Sequence, residues 1–552
     1  MRGRTRAMAA VAGIGLASLA LVACGGGTSN NSGGKSTNAS EIKIGACTPQ
    51  SALLPGNTNE VCGGTVLDAT TAKLVHYNVD TSEPENDIAQ SITTSDNQHF
   101  DVKIKPNYKF SDGTTVKAEN FVNAWNWAAN CQNGQANSYF YTPIKGYADL
   151  QTDNGECKTA PKTDKMSGLK VKSDTEFTIT TTEKVSNLPT RLGYIAFAPL
   201  PDSFFKSADE RKKQEKMPVG AGPFKVVSNT TTDIVVQKNP YYAGPYKPHV
   251  DKVDFKIYTD PEAAYNDVLS NNLDFTGTMD PIPNDQLTND QWKSDLADRW
   301  GQKDSSVFGY LNFSPIDKQL TGPSNLKLRQ AISMSINRPL IIKQIFANSY
   351  SPATSWVSPV VEGYKAGACG EYCTYNPTKA KQLYKESGGY QGTLTLTYNA
   401  DGGHKAWCEA VASEVSQTLG IKVVAKPTPD FKTLLDSLDK KEISGMFRNG
   451  WVMDYPSIEN YLAPIYGTGA DSNYSGYSSK EFDNQLQVAA AADSGAPADA
   501  AYQKAEAILA KDFPTAPLWF QKTSYGWSEN VTNVKVDAFQ QVDLSAIELK
   551  KS

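Results

Sequence analysis

The sequence predicts an α/β fold, and two features of the 552-residue chain indicate it. Segments in which apolar residues strictly alternate, such as residues 100–105, predict strands, and segments with apolar residues three and four apart predict helices. The two kinds of segment alternate in both halves of the chain, as is typical of α/β proteins. The length far exceeds what one hydrophobic core serves, so we expect about three to four domain-sized units. Ligands of such proteins bind outside the carboxyl ends of strands, often between domains.

The individual elements follow from the same patterns. Strands are predicted over residues 42–47, 73–78, 100–105, 168–172, 176–181, 225–227, 234–237, 253–258, 308–313, 393–398, 421–426 and 516–521. Helices are predicted around residues 121–129, 263–269, 328–336, 340–346, 406–419 and 502–509. Pro339 interrupts one helical pattern and Pro514 ends the last one. The final strand has no segment nearby in sequence with which it could pair.

Charge and composition argue against several functions. The chain has 54 Lys and Arg against 59 Asp and Glu, which gives a net charge of −5 at pH 7. Such a mildly acidic chain does not indicate a nucleic-acid-binding protein, which would show a basic face. The four histidines are scattered, and Cys369 and Cys373 have no second Cys or His pair nearby. We therefore expect no metal site and no cofactor.

The N-terminus has the pattern of an export signal. Residues 1–23 join three arginines to an apolar stretch that is short and rich in Gly and Ala, which favours a secretory signal over a membrane span. The signal ends in Leu-Val-Ala before Cys24, which resembles the lipobox of bacterial lipoproteins, in which this Cys carries the lipid. An ordinary signal peptide with a chance cysteine is the alternative. Residues 24–40 predict a flexible tether, and no later apolar run is long enough to span a membrane.

The cysteine count agrees with export. Of eight cysteines, seven remain without Cys24, so at least one is unpaired. Three bridges among seven cysteines allow about 105 pairings, and the sequence alone does not choose between them. Pairing between cysteines that are near in sequence predicts Cys47–Cys62, Cys131–Cys157 and Cys369–Cys373, with Cys408 free.

Five stretches, in order along residues 70–525, carry a resemblance to a known family. They cover residues 110–125, 218–242, 253–275, 328–338 and 450–456. Together they resemble the family 5 extracellular solute-binding proteins, the oligopeptide- and dipeptide-binding components of ABC importers. Each stretch alone is weakly specific, whereas five in family order are strongly specific. Two residues depart from the family pattern: Lys117 stands where Thr usually caps a helix, and Thr115 replaces a turn Pro.

The resemblance implies a type II periplasmic-binding-protein-like fold, in which two α/β lobes close over a ligand cleft. Its boundaries, projected onto this sequence, are residues 41–306 for lobe I, about 80–200 for an extra subdomain within lobe I, 307–515 for lobe II, and 516–552 for a return to lobe I. Strands at 308–313 and 515–520 would hold the hinge.

The resemblance also implies a ligand site around residues 450–456. Asp454 occupies the position of the family Asp that pairs with the α-amino group of a peptide, and a carboxylate is the partner that an ammonium needs in a water-poor cleft. Alternatively, Asp454 turns the chain before Pro456. Trp451 belongs either to the core or to the cleft wall. Arg448 pairs either with a peptide carboxylate or with Asp454, and we include the neighbouring Tyr455 in the site.

The aromatic residues near position 125 form a second candidate region. Trp125 lies on the apolar stripe of a predicted helix, which favours the core. Trp127 lies off that stripe and is the better candidate for a stacking surface.

Three classes of function remain. The resemblance implies a monomeric, lipid-anchored receptor on the extracytoplasmic face of the bacterial cell membrane, which captures peptides and delivers them to the permease of an ABC transporter. Because the chain is rich in aromatic residues, an oligosaccharide ligand is the alternative within the same fold. For an enzyme, Ser-x-x-Lys recurs as if by chance, and neither Gly-x-Ser-x-Gly nor His-Glu-x-x-His occurs. We therefore expect no catalytic residue.

Overall fold

The structure is a computed structural model, and it describes residues 40–153, 156–277, 282–361, 363–493 and 495–550, apart from the side chains of residues 284, 288 and 289. The predictions for the export signal, for Cys24 and for the tether up to residue 39 lie outside the described residues.

The described residues form strands and helices in both halves of the chain. The strands are β1 Glu41–Ala46, β2 Val75–Tyr77, β3 Pro84–Asn86, β4 Ala89–Thr94, β5 His99–Ile104, β6 Leu169–Ser173, β7 Glu176–Thr180, β8 Phe224–Asn229, β9 Asp233–Lys238, β10 Lys252–Ile257, β11 Trp300–Phe313, β12 Ser351–Pro352, β13 Thr393–Asn399, β14 Lys422–Thr428, β15 Met446–Trp451, β16 Thr515–Gly526, β17 Val531–Thr532 and β18 Glu548–Leu549. The helices are α1 Val61–Thr70, α2 Ala118–Ala129, α3 Leu188–Arg191, α4 Ala208–Lys216, α5 Pro261–Leu269, α6 Asn284–Asn289, α7 Gln291–Leu296, α8 Leu326–Met334, α9 Arg338–Ile345, α10 Pro377–Glu386, α11 Lys405–Leu419, α12 Phe431–Asp439, α13 Ile458–Tyr466, α14 Lys480–Ala491 and α15 Ala496–Asp512.

Three sheets of four or more strands organise the chain. The first half contains one sheet with the order β1-β10-β9-β8 and another with the order β4-β5-β7-β6. The third sheet has the order β12-β16-β11-β15-β13-β14 and so joins strands that lie far apart in sequence. β13 is parallel to both β14 and β15, with helices between them in sequence, which is the βαβ arrangement expected of an α/β protein.

The two longest strands, β11 and β16, pair with each other along most of their length. Trp300 lies opposite Gly526 at one end, and Asn312 lies opposite Thr515 at the other. Beyond β16, Trp527 bridges Phe275, which also bridges Ile44 of the first sheet. The predicted C-terminal strand therefore finds its partner far along the chain. Both strands are longer than predicted, because their polar ends lack the apolar pattern that marks 308–313.

One helical pattern is divided near Pro339, as predicted, and local hydrogen bonds hold the first turns of α9 and α2. The long helical pattern is divided into α8 and α9, and the side chain of Asn337 accepts a hydrogen bond from Leu340 at the start of α9. At the start of α2, Lys117 provides no side-chain acceptor. Instead, the backbone N of Lys117 donates to Oδ1 of Asn120 at 2.8 Å, so the first turn is held from inside the helix.

The disulfide predictions are confirmed. Cys47 is bonded to Cys62, Cys131 to Cys157 and Cys369 to Cys373. Cys408 is buried and is the free cysteine among the described residues. The first bridge ties the end of β1 to the start of α1, beside the cavity described below.

Three large groups of buried apolar side chains form the cores. One lies around β11, β15 and β16, a second around β5, β7 and α2, and a third around the first sheet. The third core also contains Val531, Val536, Val542 and Ile547 from the C-terminal segment. Within the described ranges, no helix is long and apolar enough to cross a membrane.

Candidate ligand-binding cleft

A cavity of about 520 Å³ is lined by residues from both halves of the chain. From the first half, the start of α1, Tyr77 and residues 193–195 contribute to its wall. From the second half, the carboxyl end of β15 and the residues that follow it contribute, together with Asp537 of the C-terminal segment. A cleft at the carboxyl end of a strand is where an α/β protein is expected to bind its ligand.

Asp454 lies in this wall, in the bend that follows β15. Its Oδ2 accepts a hydrogen bond from Nδ2 of Asn460 at 2.8 Å, and the hydroxyl of Tyr194, from the first half, also donates to it. Burial raises the pKa of Asp454 to about 7, although both hydrogen bonds act in the opposite direction. In the part of the chain that the structure describes, no Lys or Arg forms an ion pair with Asp454.

Trp451 is both cavity wall and packing residue. The half-buried ring lines the cavity and also packs against the core around β11, β15 and β16. Its Nε1 donates to Oδ1 of Asn460 at 3.0 Å. Both alternatives from the sequence, core and cleft wall, therefore apply to this one side chain.

Arg448 lies in an adjoining cavity of about 100 Å³. Its Nε donates to Oδ1 of Asn399 at 2.7 Å, and its guanidinium lies 4.9 Å from the centre of the Phe431 ring. Phe431, Tyr310 and Asn449 line both cavities, so the two spaces adjoin. His404 also lines the smaller one, and burial lowers its pKa well below the usual range.

The structure does not bring Tyr455 or Trp127 to the cavity wall. Tyr455 is 2% exposed, packs in the core around β5, β7 and α2, and donates its hydroxyl to Glu459. Trp127 is half-buried and packs edge-on against Phe204, with ring centres 4.9 Å apart. Trp127 does lie off the apolar stripe of α2, but Phe204 covers it, which the helix pattern alone could not indicate.

The cavity wall is strongly acidic, a feature that the sequence did not reveal. Its carboxyl groups are those of Glu60, Asp68, Asp439, Asp454, Asp471 and Asp537. Lys73 is a cation in the wall, and its Nζ is 2.8 Å from Asp68. Burial raises the pKa of Asp471 to about 6 and that of Asp537 to about 7. These residues come from distant segments, so no local motif marks them.

Sequence comparison identifies the family. The profile of bacterial extracellular solute-binding proteins, family 5 Middle, matches residues 83–473. The chain belongs to this family. It is 25% identical over 535 residues to the oligopeptide-binding protein OppA of Bacillus subtilis (strain 168), covering 94% of each chain. It is also 24% identical over 431 residues to the probable deoxycholate-binding periplasmic protein YgiS of Escherichia coli (strain K12), covering 76% of each chain.

Solved structures confirm the fold. The crystal structure of Haemophilus influenzae OppA in complex with RPPGFSPFR superposes with a TM-score of 0.80 at 21% identity, over 93% of this chain and 99% of that one. The predicted two-lobed, periplasmic-binding-protein-like α/β fold is therefore confirmed. The family also establishes that the chain is an extracytoplasmic solute-binding protein of the peptide ABC-transporter class, and not an enzyme.

Proposed function

We propose that the protein captures short peptides in the 520 Å³ cavity and binds their α-ammonium group with Asp454. One observation carries the proposal: this carboxyl group lines the cavity, and its hydrogen-bond donors, Asn460 and Tyr194, are both neutral. A buried carboxylate without a cation is costly to ionise. The ammonium of a bound ligand would supply the missing charge and lower the pKa of Asp454 from about 7.

Arg448 is the proposed partner for the other end of a peptide. The guanidinium is buried, and the small cavity beside it adjoins the main one. In an extended chain the Cα atoms of Arg448 and Asp454 are at most roughly 20 Å apart, since a strand rises about 3.3 Å per residue. We therefore propose that Arg448 binds the carboxylate of a short peptide whose amino end reaches Asp454, with Trp451 forming the wall between them.

An oligosaccharide is the alternative ligand, favoured by the aromatic wall. Tyr77, Tyr194, Tyr310, Trp451 and Tyr474 all line the cavity and could stack on sugar rings. A neutral sugar would leave the charge of Asp454 without a partner, which favours the peptide. Mass spectrometry of the ligand that co-purifies with the protein separates the two, and oligosaccharide peaks would contradict the peptide proposal.

Calorimetry with matched peptides tests the role of Asp454. A tripeptide with a free amino terminus is expected to bind tightly near pH 7, and its N-acetylated form at least tenfold more weakly, because acetylation removes the charge that Asp454 needs. Equal affinities for the two forms would contradict the proposal.

The remaining parts of the proposal concern delivery. The protein would act as a monomer, anchored by lipid on Cys24 at the extracytoplasmic face of the bacterial cell membrane, and would pass peptides to an ABC-transporter permease. Lobe I would comprise residues 41–306 and 516–552, with the extra subdomain at 80–200, and lobe II 307–515. The paired strands β11 and β16 would then form the hinge, and closure over the ligand would be the signal to the permease. Labelling with a radioactive fatty acid, with Cys24→Ser as the unlabelled control, tests the anchor.

A further inference from the structure

We infer that Asn460 is a positioning residue of the ligand site, whose amide sets the orientation of the Asp454 carboxylate and of the Trp451 ring. The inference rests on the proposed function, in which Asp454 binds the ligand's ammonium. Asn460 lies in the first turn of α13 and is fully buried, with 0% exposure. It is absent from the wall of the cavity, so it can act on a ligand only through its neighbours.

Three hydrogen bonds connect Asn460 to Trp451 and Asp454, which both line the cavity. Its Oδ1 accepts from Nε1 of Trp451 at 3.0 Å and from the backbone N of Asp454 at 2.7 Å. Its Nδ2 donates to Oδ2 of Asp454 at 2.8 Å. An indole N–H and a backbone N–H can only donate, so they fix the amide with its oxygen towards them and its nitrogen towards the carboxylate.

Asparagine is well suited to this position because its short amide carries an acceptor and a donor on one rigid plane. An ionised Asp would accept from the same two N–H groups but would have no donor for Asp454. An Ala would leave both N–H groups and the carboxylate without these partners. Without the amide, the carboxylate would keep the Tyr194 hydroxyl, which comes from the first half of the chain.

The amide also favours the ionised form of Asp454. Burial raises the pKa of Asp454 to about 7, while the hydrogen bonds from Asn460 and Tyr194 lower it and nearby Glu459 raises it. The titratable or charged side chains that face Asp454 or adjoin Glu459 are Tyr77, Tyr139, Arg191 and Tyr194 from the first half and Tyr455, Glu459, Tyr461 and Tyr502 from the second. Loss of the Asn460 donor therefore moves the titration of Asp454 to higher pH.

The test measures binding of trialanine and N-acetyl-trialanine between pH 5.5 and 8.5. For Asn460→Ala we expect affinity for the free-amine peptide to fall about tenfold or more at pH 7, since a buried donor is lost. The pH below which binding of the free-amine peptide weakens, here called the acid limb of the pH profile, should move upward. The affinity for the acetylated peptide should fall far less. Asn239→Ala is the matched control, because Asn239 is a buried amide with two comparable hydrogen bonds away from the cavity.

Asn460→Asp keeps the inference testable if Asn460→Ala does not fold. This variant retains the acceptor for both N–H groups and loses only the donor. Two facing carboxyl groups cannot readily both ionise, so the acid limb should again move upward. Equal losses for both peptides with an unmoved acid limb would overturn the inference and leave Asn460 with a structural role only. If the wild-type protein binds both peptides equally, the proposed role of Asp454 fails first, and the inference falls with it.

Discussion

Asp454 and Glu459 are two carboxyl groups of one short segment at the boundary between the two halves of the chain, and their charges have different partners. Nη2 of Arg191, from the first half, lies 3.3 Å from Oε2 of Glu459, which also accepts from the Tyr455 hydroxyl. Asp454 has the neutral donors Asn460 and Tyr194. The protein therefore supplies an internal cation for Glu459, whereas no Lys or Arg of the described residues forms an ion pair with Asp454.

Two further contacts hold the guanidinium of Arg191 in place beside Glu459. Nε of Arg191 donates to Oδ1 of Asn187 at 2.9 Å, and the guanidinium lies 5.7 Å from the centre of the Tyr455 ring. Burial alone would lower the pKa of Arg191, but Glu459 raises it above its usual range. The comparison indicates that Glu459 connects the two halves, whereas Asp454 is the carboxyl group that we propose to bind the ammonium of a ligand.

The largest expected effect is on stability. Arg191→Ala should lower the free energy of unfolding by about 3–5 kcal/mol, because it leaves Glu459 buried without its cation. Urea denaturation followed by tryptophan fluorescence measures this. As a control, the double variant Arg191→Met with Glu459→Gln should lose much less, since neither charge remains. A loss below about 1 kcal/mol for Arg191→Ala would show that the pair does not hold the halves together.

At Asp454 we expect a substitution to weaken ligand binding without lowering stability. Asp454→Asn should weaken binding of a free-amine tripeptide by about 2–5 kcal/mol, as for removal of one partner from a buried charge pair. Stability of the empty protein should not fall, because no internal cation loses its partner. Asp101→Asn is the control, an exposed carboxylate on β5 whose ion pair is with Lys172. If the two variants weaken binding equally, Asp454 is not the ammonium acceptor.

A further effect of Asp454 concerns the pH dependence of stability. The pKa of Asp454 is raised by burial to about 7 from an ordinary value of 3.8. The folded state therefore holds this proton more tightly than the unfolded state. Its contribution to stability is complete below about pH 4 and is lost as the pH rises towards 7, by at most about 1.4 kcal/mol per pH unit. Asp454→Asn removes this contribution, so the wild-type and variant unfolding free energies should diverge between pH 4 and 7. Parallel curves would contradict the raised pKa.

The smallest effect is expected at Trp127. Because its ring packs against Phe204 and not in the cavity wall, Trp127→Leu should change peptide affinity by less than about twofold. Trp451→Leu, which alters the wall itself, is the positive comparison and should weaken binding. Isothermal calorimetry with one tripeptide serves both. A strong loss at Trp127 would extend the ligand site beyond the cavity.

The sequence predicts features that depend on local pattern or on cysteines close together. The α/β class, most of the described strands, six of the helices and the three disulfides are of this kind. It does not reveal which way neighbouring side chains point. Tyr455 follows Asp454 directly, yet its ring enters the core around β5, β7 and α2 because the chain bends there.

Long-range partners are equally hidden from sequence. Tyr194 and Arg191 meet Asp454 and Glu459 only when the two halves come together. The acidic wall has the same origin, since Asp68, Asp439 and Asp537 come from separate segments of the chain. No spacing rule connects such residues, and only the folded chain shows that their charges accumulate in one place.

The return of the chain through β16 has a consequence for biosynthesis. Val531, Val536 and Ile547, which follow β16, help to fill the core built around β1 and β10. The core of the first sheet is therefore complete only after the segment that follows β16 has been synthesised. Until then part of its apolar face stays uncovered, so a truncation that removes this segment would expose the core of the first sheet and favour aggregation.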